Sequence, residues 1–190
     1  MSDIPEHFLE AESTIKNVSY DACNDKYMCK SHMKVYDFDK IKDWYAGNLN
    51  NSETGNYIKS NDALYCDGKK FTFIEFKNGK IDRSTKAGLR IKALDSFVVL
   101  CDSKTKASKL IPNFIGDASY TRKNVDYILV YNELKNPHSS SGKSIIGRNL
   151  NRKADNPRFS LAYLKGYLFN RVLTYTEEEF ERLFVSVHDR

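Results

Sequence analysis

The segment Phe71-Thr72-Phe73-Ile74-Glu75-Phe76-Lys77 constrains what this chain can fold into more than any other stretch. Side chains alternate along a strand, so Phe71, Phe73, Glu75 and Lys77 share one face, while Thr72, Ile74 and Phe76 share the other. Both faces carry aromatic or branched apolar groups, which marks an interior strand. Yet the last two positions on one face are charged, and burying a charge is costly unless it is paired or bound to a metal. Glu75 and Lys77 must therefore pair, reach solvent at the strand end, or take part in chemistry.

The neighbouring residues extend this pattern. Asp67-Gly68 predicts a hairpin turn into one or two short strands over 57–66, and Asn78-Gly79 ends the second strand. Asp62 then lies one hairpin upstream, with 12 residues between it and Glu75. A one-residue slip in register would turn Asp62 to the opposite face, so the pairing decides whether the two acids meet. If they do, two carboxylates and a lysine converge at the sheet edge. Two hard oxygen ligands suit Mg²⁺ (or Mn²⁺), which keeps most of its waters and bridges to a substrate phosphate. Such an ion acidifies a bound water, and Lys77 can orient that water or offset charge on the phosphate.

The remaining periodicities fill in the frame. Residues 3–18 predict an amphipathic helix with Pro5 in its first turn and Ile4, Phe8, Leu9, Ala11, Ile15 and Val18 on one stripe. A second helix is expected over 38–46, capped by Asp37 or Asp39 and stopped by Gly47. A third is expected over 84–101, with Ala87, Ile91, Leu94, Val98 and Cys101 at helical spacing. Val125 to Tyr131 is almost wholly apolar, as in a strand buried on both faces. Residues 135–156 read as a long polar loop. Its Ser141-Gly142-Lys143-Ser144 lacks the upstream glycine of a phosphate-binding loop, since position 137 is proline. Helices near 159–172 and 176–187 close the chain, the latter opened by a Thr176/Glu179 capping box. The order predicts one mixed α/β domain over residues 1–190, a small central mixed sheet flanked by helices. In that layout the N-terminal helices (3–46) and C-terminal helices (159–187) pack on a core of about residues 55–132.

The run Ser60-Asn61-Asp62-Ala63-Leu64, then the hairpin, then Phe73-Ile74-Glu75-Phe76-Lys77-Asn78-Gly79 resembles the PD-(D/E)xK nuclease superfamily, the restriction-endonuclease-like fold. There an aspartate on one strand and an E-x-K on the next bind metal and activate water, followed by a helix and a further strand. The resemblance implies catalytic roles for Asp62, Glu75 and Lys77, with Asp62 and Glu75 on the metal. The family's proline before the aspartate is here Asn61. An acidic residue on the first helix, Glu10 or Glu12, would support the site. Lys92, with Asp95 and Ser96, lies where relatives place a supporting polar group; Lys92 reads either as a phosphate contact or as part of a solvated helix face. A second E-x-K, Glu133-Leu134-Lys135, reads as a surface pair ending a strand, and no hairpin aspartate precedes it.

The net charge of +5 and sequence pI near 8.9 suit a polyanionic partner. Lys143, Arg148, Arg152, Lys153 and Arg158 can track a nucleic-acid backbone or form a solvated loop. The 41% hydrophobic and 13% aromatic content excludes a disordered chain. No apolar run suits a membrane helix, and the absence of a secretory signal makes a reducing cytoplasm the default. Cys23, Cys29 and His32 resemble part of a zinc set, but no second paired element completes it. His7, His32, His138 and His188 are expected at the surface. The function expected is a Mg-dependent nuclease acting on DNA rather than RNA, as a homodimer or beside other subunits. The alternatives are an RNA-directed nuclease and an inactive nuclease-fold module for binding or assembly.

Overall fold

The computed structural model describes residues 4–49, 57–137 and 157–189. Its centre is a six-stranded mixed sheet in the order β1-β4-β5-β6-β7-β8. These strands are β1 (Glu12–Thr14), β4 (Lys34–Asp37), β5 (Ala63–Cys66), β6 (Phe71–Lys77), β7 (Val125–Tyr131) and β8 (Val172–Thr176); a small ribbon pairs β2 (Tyr20–Asp21) with β3 (Lys26–Tyr27). Pairing is antiparallel from β1 through β6 and parallel across β6, β7 and β8. The described chain is thus mixed α/β.

Alternation along the strands separates two cores. Leu64, Phe71, Phe73, Tyr127, Leu129 and Tyr131 face one layer, formed with α1 (Glu6–Glu10), α3 (Phe38–Gly47) and α4 (Arg83–Cys101). Ala63, Ile74, Phe76, Ile128 and Val130 face the other, closed by α2 (Ile15–Val18) and the C-terminal helix that begins at Glu177. Every residue of β7 is buried, as a strand covered on both faces should be. The hairpin between β5 and β6 turns at Asp67-Gly68, where Gly68 adopts φ +78° and the Asp67 carboxylate accepts the Lys69 and Lys70 N–H groups. A seven-residue α-helix (α5, Ala118–Asn124) leads into β7, and Gly116 just before it lies so close to Cys101 that a Cβ would sit 2.1 Å from the Cys101 carbonyl oxygen.

Several expectations are corrected. The predicted helix over 3–18 is broken: Glu12–Thr14 pairs with β4 instead, and the Thr14 hydroxyl caps the short α2 by accepting the Asn17 N–H. Ser13 and Thr14 favour this outcome, because hydroxyl side chains compete for backbone groups inside helices and suit caps. The helix expected over 159–172 is absent; among its residues only Ala162–Leu164 form a 3₁₀ turn, and Val172–Thr176 are strand β8. The β-branched and aromatic run Val172-Leu173-Thr174-Tyr175-Thr176 finds a ready edge on β7. The capping box of Thr176 and Glu179 is present as expected.

In α4 the stripe chosen from periodicity is the outer one. Leu89, Ala93, Ser96, Val99 and Leu100 are buried, whereas Ile91, Leu94 and Val98 are 48%, 37% and 54% exposed. His7 also departs from expectation: it is buried, stacked on Trp44 at 3.7 Å between ring centroids, with Nε2 bonded to the Thr105 carbonyl. Burial lowers its pKa. No helix among the described residues is long and apolar enough to cross a membrane.

Candidate active site

The β5–β6 register runs Ala63 opposite Ile74 and Leu64 opposite Phe73, so Asp62, just before β5, falls opposite Glu75. The favourable register is the one adopted. The Asp62 backbone carbonyl accepts the Phe38 N–H, and its carboxylate Oδ2 accepts the Phe76 N–H at 2.6 Å. These contacts fix the acid at the mouth of the hairpin. Glu75 lies on the face of β6 toward α4 and its side chain is 1% exposed; that of Asp62 is 19% exposed.

The cation that meets them is Lys92. Its Nζ lies 3.1 Å from Asp62 Oδ1, 2.7 Å from Glu75 Oε1 and 2.9 Å from Glu75 Oε2. Lys92 is therefore neither a solvated helix residue nor poised on a phosphate. It follows from the true inner stripe of α4, since position 92 adjoins Leu89, Ala93 and Ser96 on the sheet side. Choosing that stripe in the sequence would have revealed it. Lys77 shares the face of Glu75, stands half-buried at the strand end, and its charge favours the ionised form of Glu75.

Two carboxylates against one ammonium leave the cluster short of positive charge. Burial, and then the charge on Asp62, push Glu75 up to about 8 despite Lys92 and Lys77. Burial likewise raises Asp62 against the pull of Lys92 and the Phe76 N–H. For Lys92 burial acts downward, but the facing Glu75 and Asp62 outweigh it and hold the ammonium well above the ordinary lysine range.

Buried polar groups without partners gather here too. Among the described residues these atoms are Asn61 Nδ2 and Oδ1, Arg90 Nε and Tyr127 OH. Asn61 directly precedes Asp62 and its backbone N–H is held by Ser96 Oγ. The Tyr127 hydroxyl lies within reach of the charges on Glu75 and Asp62, which, after burial, raise its pKa. Arg90 is on the helix that carries Lys92 but projects from another side of it, over the Tyr163 ring. Buried orphans are rare in folded proteins, so Asn61 and Tyr127 beside the two acids point to a ligand, ion or water.

Other expected site residues lie apart. Glu10 is exposed at the end of α1 and its carbonyl accepts from Lys40; Glu12 is exposed on the edge strand β1, opposite Tyr36. Neither joins the cluster. The acid that does bear on it is Asp39, in the first turn of α3, whose charge reaches Asp62 and whose carboxylate accepts the Ser60 hydroxyl. Arg158 donates to the Tyr131 hydroxyl and to the Asn136 and Pro137 carbonyls, so its guanidinium braces the chain. Lys143, Arg148, Arg152 and Lys153 lie outside the described residues, as does His138.

Among the described residues no group of three or more His, Cys, Asp or Glu forms a metal site. Mg²⁺ needs only one or two carboxylates, filling its other positions with water and phosphate. The Asp62–Glu75 pair therefore fits one such ion, on condition that Lys92 withdraws from it. A basic crevice of about 440 Å³ opens nearby, past the carboxyl ends of β6 and β7, lined by Lys80, Lys86, Lys135 and Arg158 together with Phe159 and Ser160. Sequence reasoning did not single out Lys80 or Lys86, and took Lys135 only as part of a surface pair; the three come from separate loops and one helix. Comparison with protein-family models, curated proteins and solved structures finds no significant match to this chain.

Proposed function

We propose that this chain is a metal-dependent nuclease of the PD-(D/E)xK kind, hydrolysing phosphodiester bonds in DNA. The observation that carries the reading is Asp62 standing opposite Glu75, with both carboxylates already gathered on a cationic group and Lys77 beside them. The topology supports it: three antiparallel strands, β4, β5 and β6, are followed by the crossover helix α4 and the parallel strand β7. That sequence of elements, with the aspartate and the E-x-K on adjacent strands, resembles the restriction-endonuclease-like core.

Asp62 and Glu75 would hold one Mg²⁺ or Mn²⁺. Bound there, the ion would supply an acidified water and positive charge for the phosphate oxygens. Asp62 is kept in place by the Phe76 N–H, so the hairpin itself orients a ligand oxygen. Lys77, at the end of β6 and open on one side, positions the attacking water or offsets charge on the phosphate. Lys80, Lys86 and Lys135 in the basic crevice would neutralise flanking phosphates of the strand.

One observation favours a second reading. The Lys92 ammonium contacts both carboxylates and so can serve as their permanent counter-ion, which suits an inactive nuclease-fold module for binding or assembly. The discriminating experiment incubates the protein with single- and double-stranded DNA and RNA under Mg²⁺, Mn²⁺ or EDTA, beside Glu75→Ala. Metal-dependent cleavage lost in the variant supports the nuclease, and the substrate cut fixes DNA against RNA. Nucleic-acid binding without cleavage, equal in EDTA and in the variant, supports the module instead.

A further inference from the structure

The two faces of α4 carry parallel stripes. Leu89, Ala93, Ser96 and Leu100 lie against the sheet, while Ala87, Ile91, Leu94 and Val98 point outward, with Cys101 completing the row. The outer row steps by four, three, four and three residues, the repeat of a coiled-coil seam. An outer row this continuous differs from singly scattered surface residues. The inner stripe already meets the protein's own core, and among the described residues no element covers the outer one.

We propose that this row is the dimer seam, where α4 pairs in parallel with α4 of a second copy about a two-fold axis along the helices. Two features select that occupant and orientation. Branched Ile91 and Val98 alternate with Leu94, the arrangement that favours two-stranded parallel pairing. The residues flanking the row also differ in charge: one flank carries Arg83 and Arg90, the other Asp95 and, just past the helix end, Asp102. Parallel pairing sets Arg90 of one copy against Asp95 five residues on in its partner, an attractive contact at the standard flanking spacing. Antiparallel pairing would set basic flank against basic flank and acidic against acidic. Asp95 Oδ2 accepts the Lys59 N–H at 2.9 Å, which leaves the carboxylate's charge for a partner across the seam. The Arg90 guanidinium lies over the Tyr163 ring at 5.3 Å, which steadies its stem beside the seam.

The seam does not depend on the nuclease reading, because it uses the outer face of α4 and leaves Lys92 on the inner one. Its test is sedimentation of the full chain at micromolar concentration, beside an Ile91→Glu/Val98→Glu double variant. The expected result is a dimer for the natural chain and a folded monomer for the variant, with unchanged circular dichroism confirming the fold. Orientation is read from Ala87→Cys and Val98→Cys, each made singly in a Cys23→Ser/Cys66→Ser/Cys101→Ser background and oxidised. Parallel pairing brings each position to its own copy, so each variant crosslinks by itself. A natural chain that sediments as a monomer, a double variant that remains dimeric, or single cysteines that crosslink only when the two variants are mixed would each overturn the proposal.

Discussion

Two buried acids on adjacent strands meet opposite fates. Asp126, near the start of β7, is 2% exposed in its side chain and has partners in excess: Lys70 Nζ at 2.8 Å, Arg171 Nη2 at 2.7 Å and Nε at 3.0 Å, and Asn170 Nδ2 at 2.9 Å. Burial pushes its carboxyl upward, yet Arg171, Lys70 and Asn170 prevail and hold it below the ordinary value. Glu75, near the end of β6, shares one ammonium with a second carboxylate and is driven the other way. The first cluster is complete as it stands. The second has more negative charge than its own residues neutralise, and only such a site gains from an incoming cation.

The comparison can be broken most sharply by activity. Glu75→Gln is expected to lower metal-dependent cleavage by about 10³-fold, the scale of several kcal/mol of transition-state charge stabilisation. Asp126→Asn should leave the rate per folded molecule unchanged. Equal losses in both variants would show that the two clusters do not differ in role, and the check is single-turnover kinetics on folded protein.

Removing the shared ammonium comes next in size. Lys92→Met leaves two buried carboxylates uncompensated and is expected to cost about 3 kcal/mol in EDTA. Mg²⁺ at about 100 times its Kd should then restore roughly 2.7 kcal/mol, and more than it adds to the natural chain. Denaturant melts with and without Mg²⁺ measure both; a variant indifferent to the ion would remove the metal from the site.

A smaller contrast is in stability alone. Asp126→Asn should cost about 2 kcal/mol, since charged hydrogen bonds to Arg171 and Lys70 are lost while those two partners can turn to water. Glu75→Gln, the same change of acid to amide, should be neutral or stabilising, because it deletes a charge that the fold disfavours. Thermal melts of the two variants test this directly, and a destabilised Glu75→Gln would contradict the charge imbalance.

The last contrast is the dependence on pH. The fold holds the Glu75 proton up to about 8, whereas the unfolded chain releases it near its ordinary value of 4.5. Between those values the native state binds more protons, so this contribution to stability falls as pH rises through the window. For Asp126 the sign is reversed: its lowered pKa contributes stability above the ordinary 3.8, lost as pH falls through the folded value. Melting temperatures across pH should show the neutral-side decline flattened in Glu75→Gln and the acid-side decline flattened in Asp126→Asn.

How far this was readable varies by element. Phe71–Lys77 and Val125–Tyr131 could be placed because their composition allows nothing but an interior strand, and Asp67-Gly68 names its own turn. Asp62 and Glu75 could be nominated as a pair, though not aligned. Lys92 could not be assigned, because α4 carries two apolar stripes and periodicity alone gives no reason to prefer either. Asp39, Asn61 and Tyr127 are ordinary residues in the sequence and acquire interest only from their neighbours in space. Val172–Thr176 is not legible as a strand between the helices expected over 159–172 and 176–187, since an apolar run of that length does not declare its period without the strand it pairs with.

The sequence by itself therefore determined the hairpin, the interior strands, the capped helices and the presence of charge at the end of a buried strand. These follow from local chemistry: alternation, turn residues and caps act within a few positions of each other. The tertiary structure alone decided that the register sets Asp62 opposite Glu75, that Lys92 closes on both, and that Ile91, Leu94 and Val98 face outward. Each of these depends on which surfaces meet across long sequence separations, and side-chain pattern limits such meetings without selecting among them.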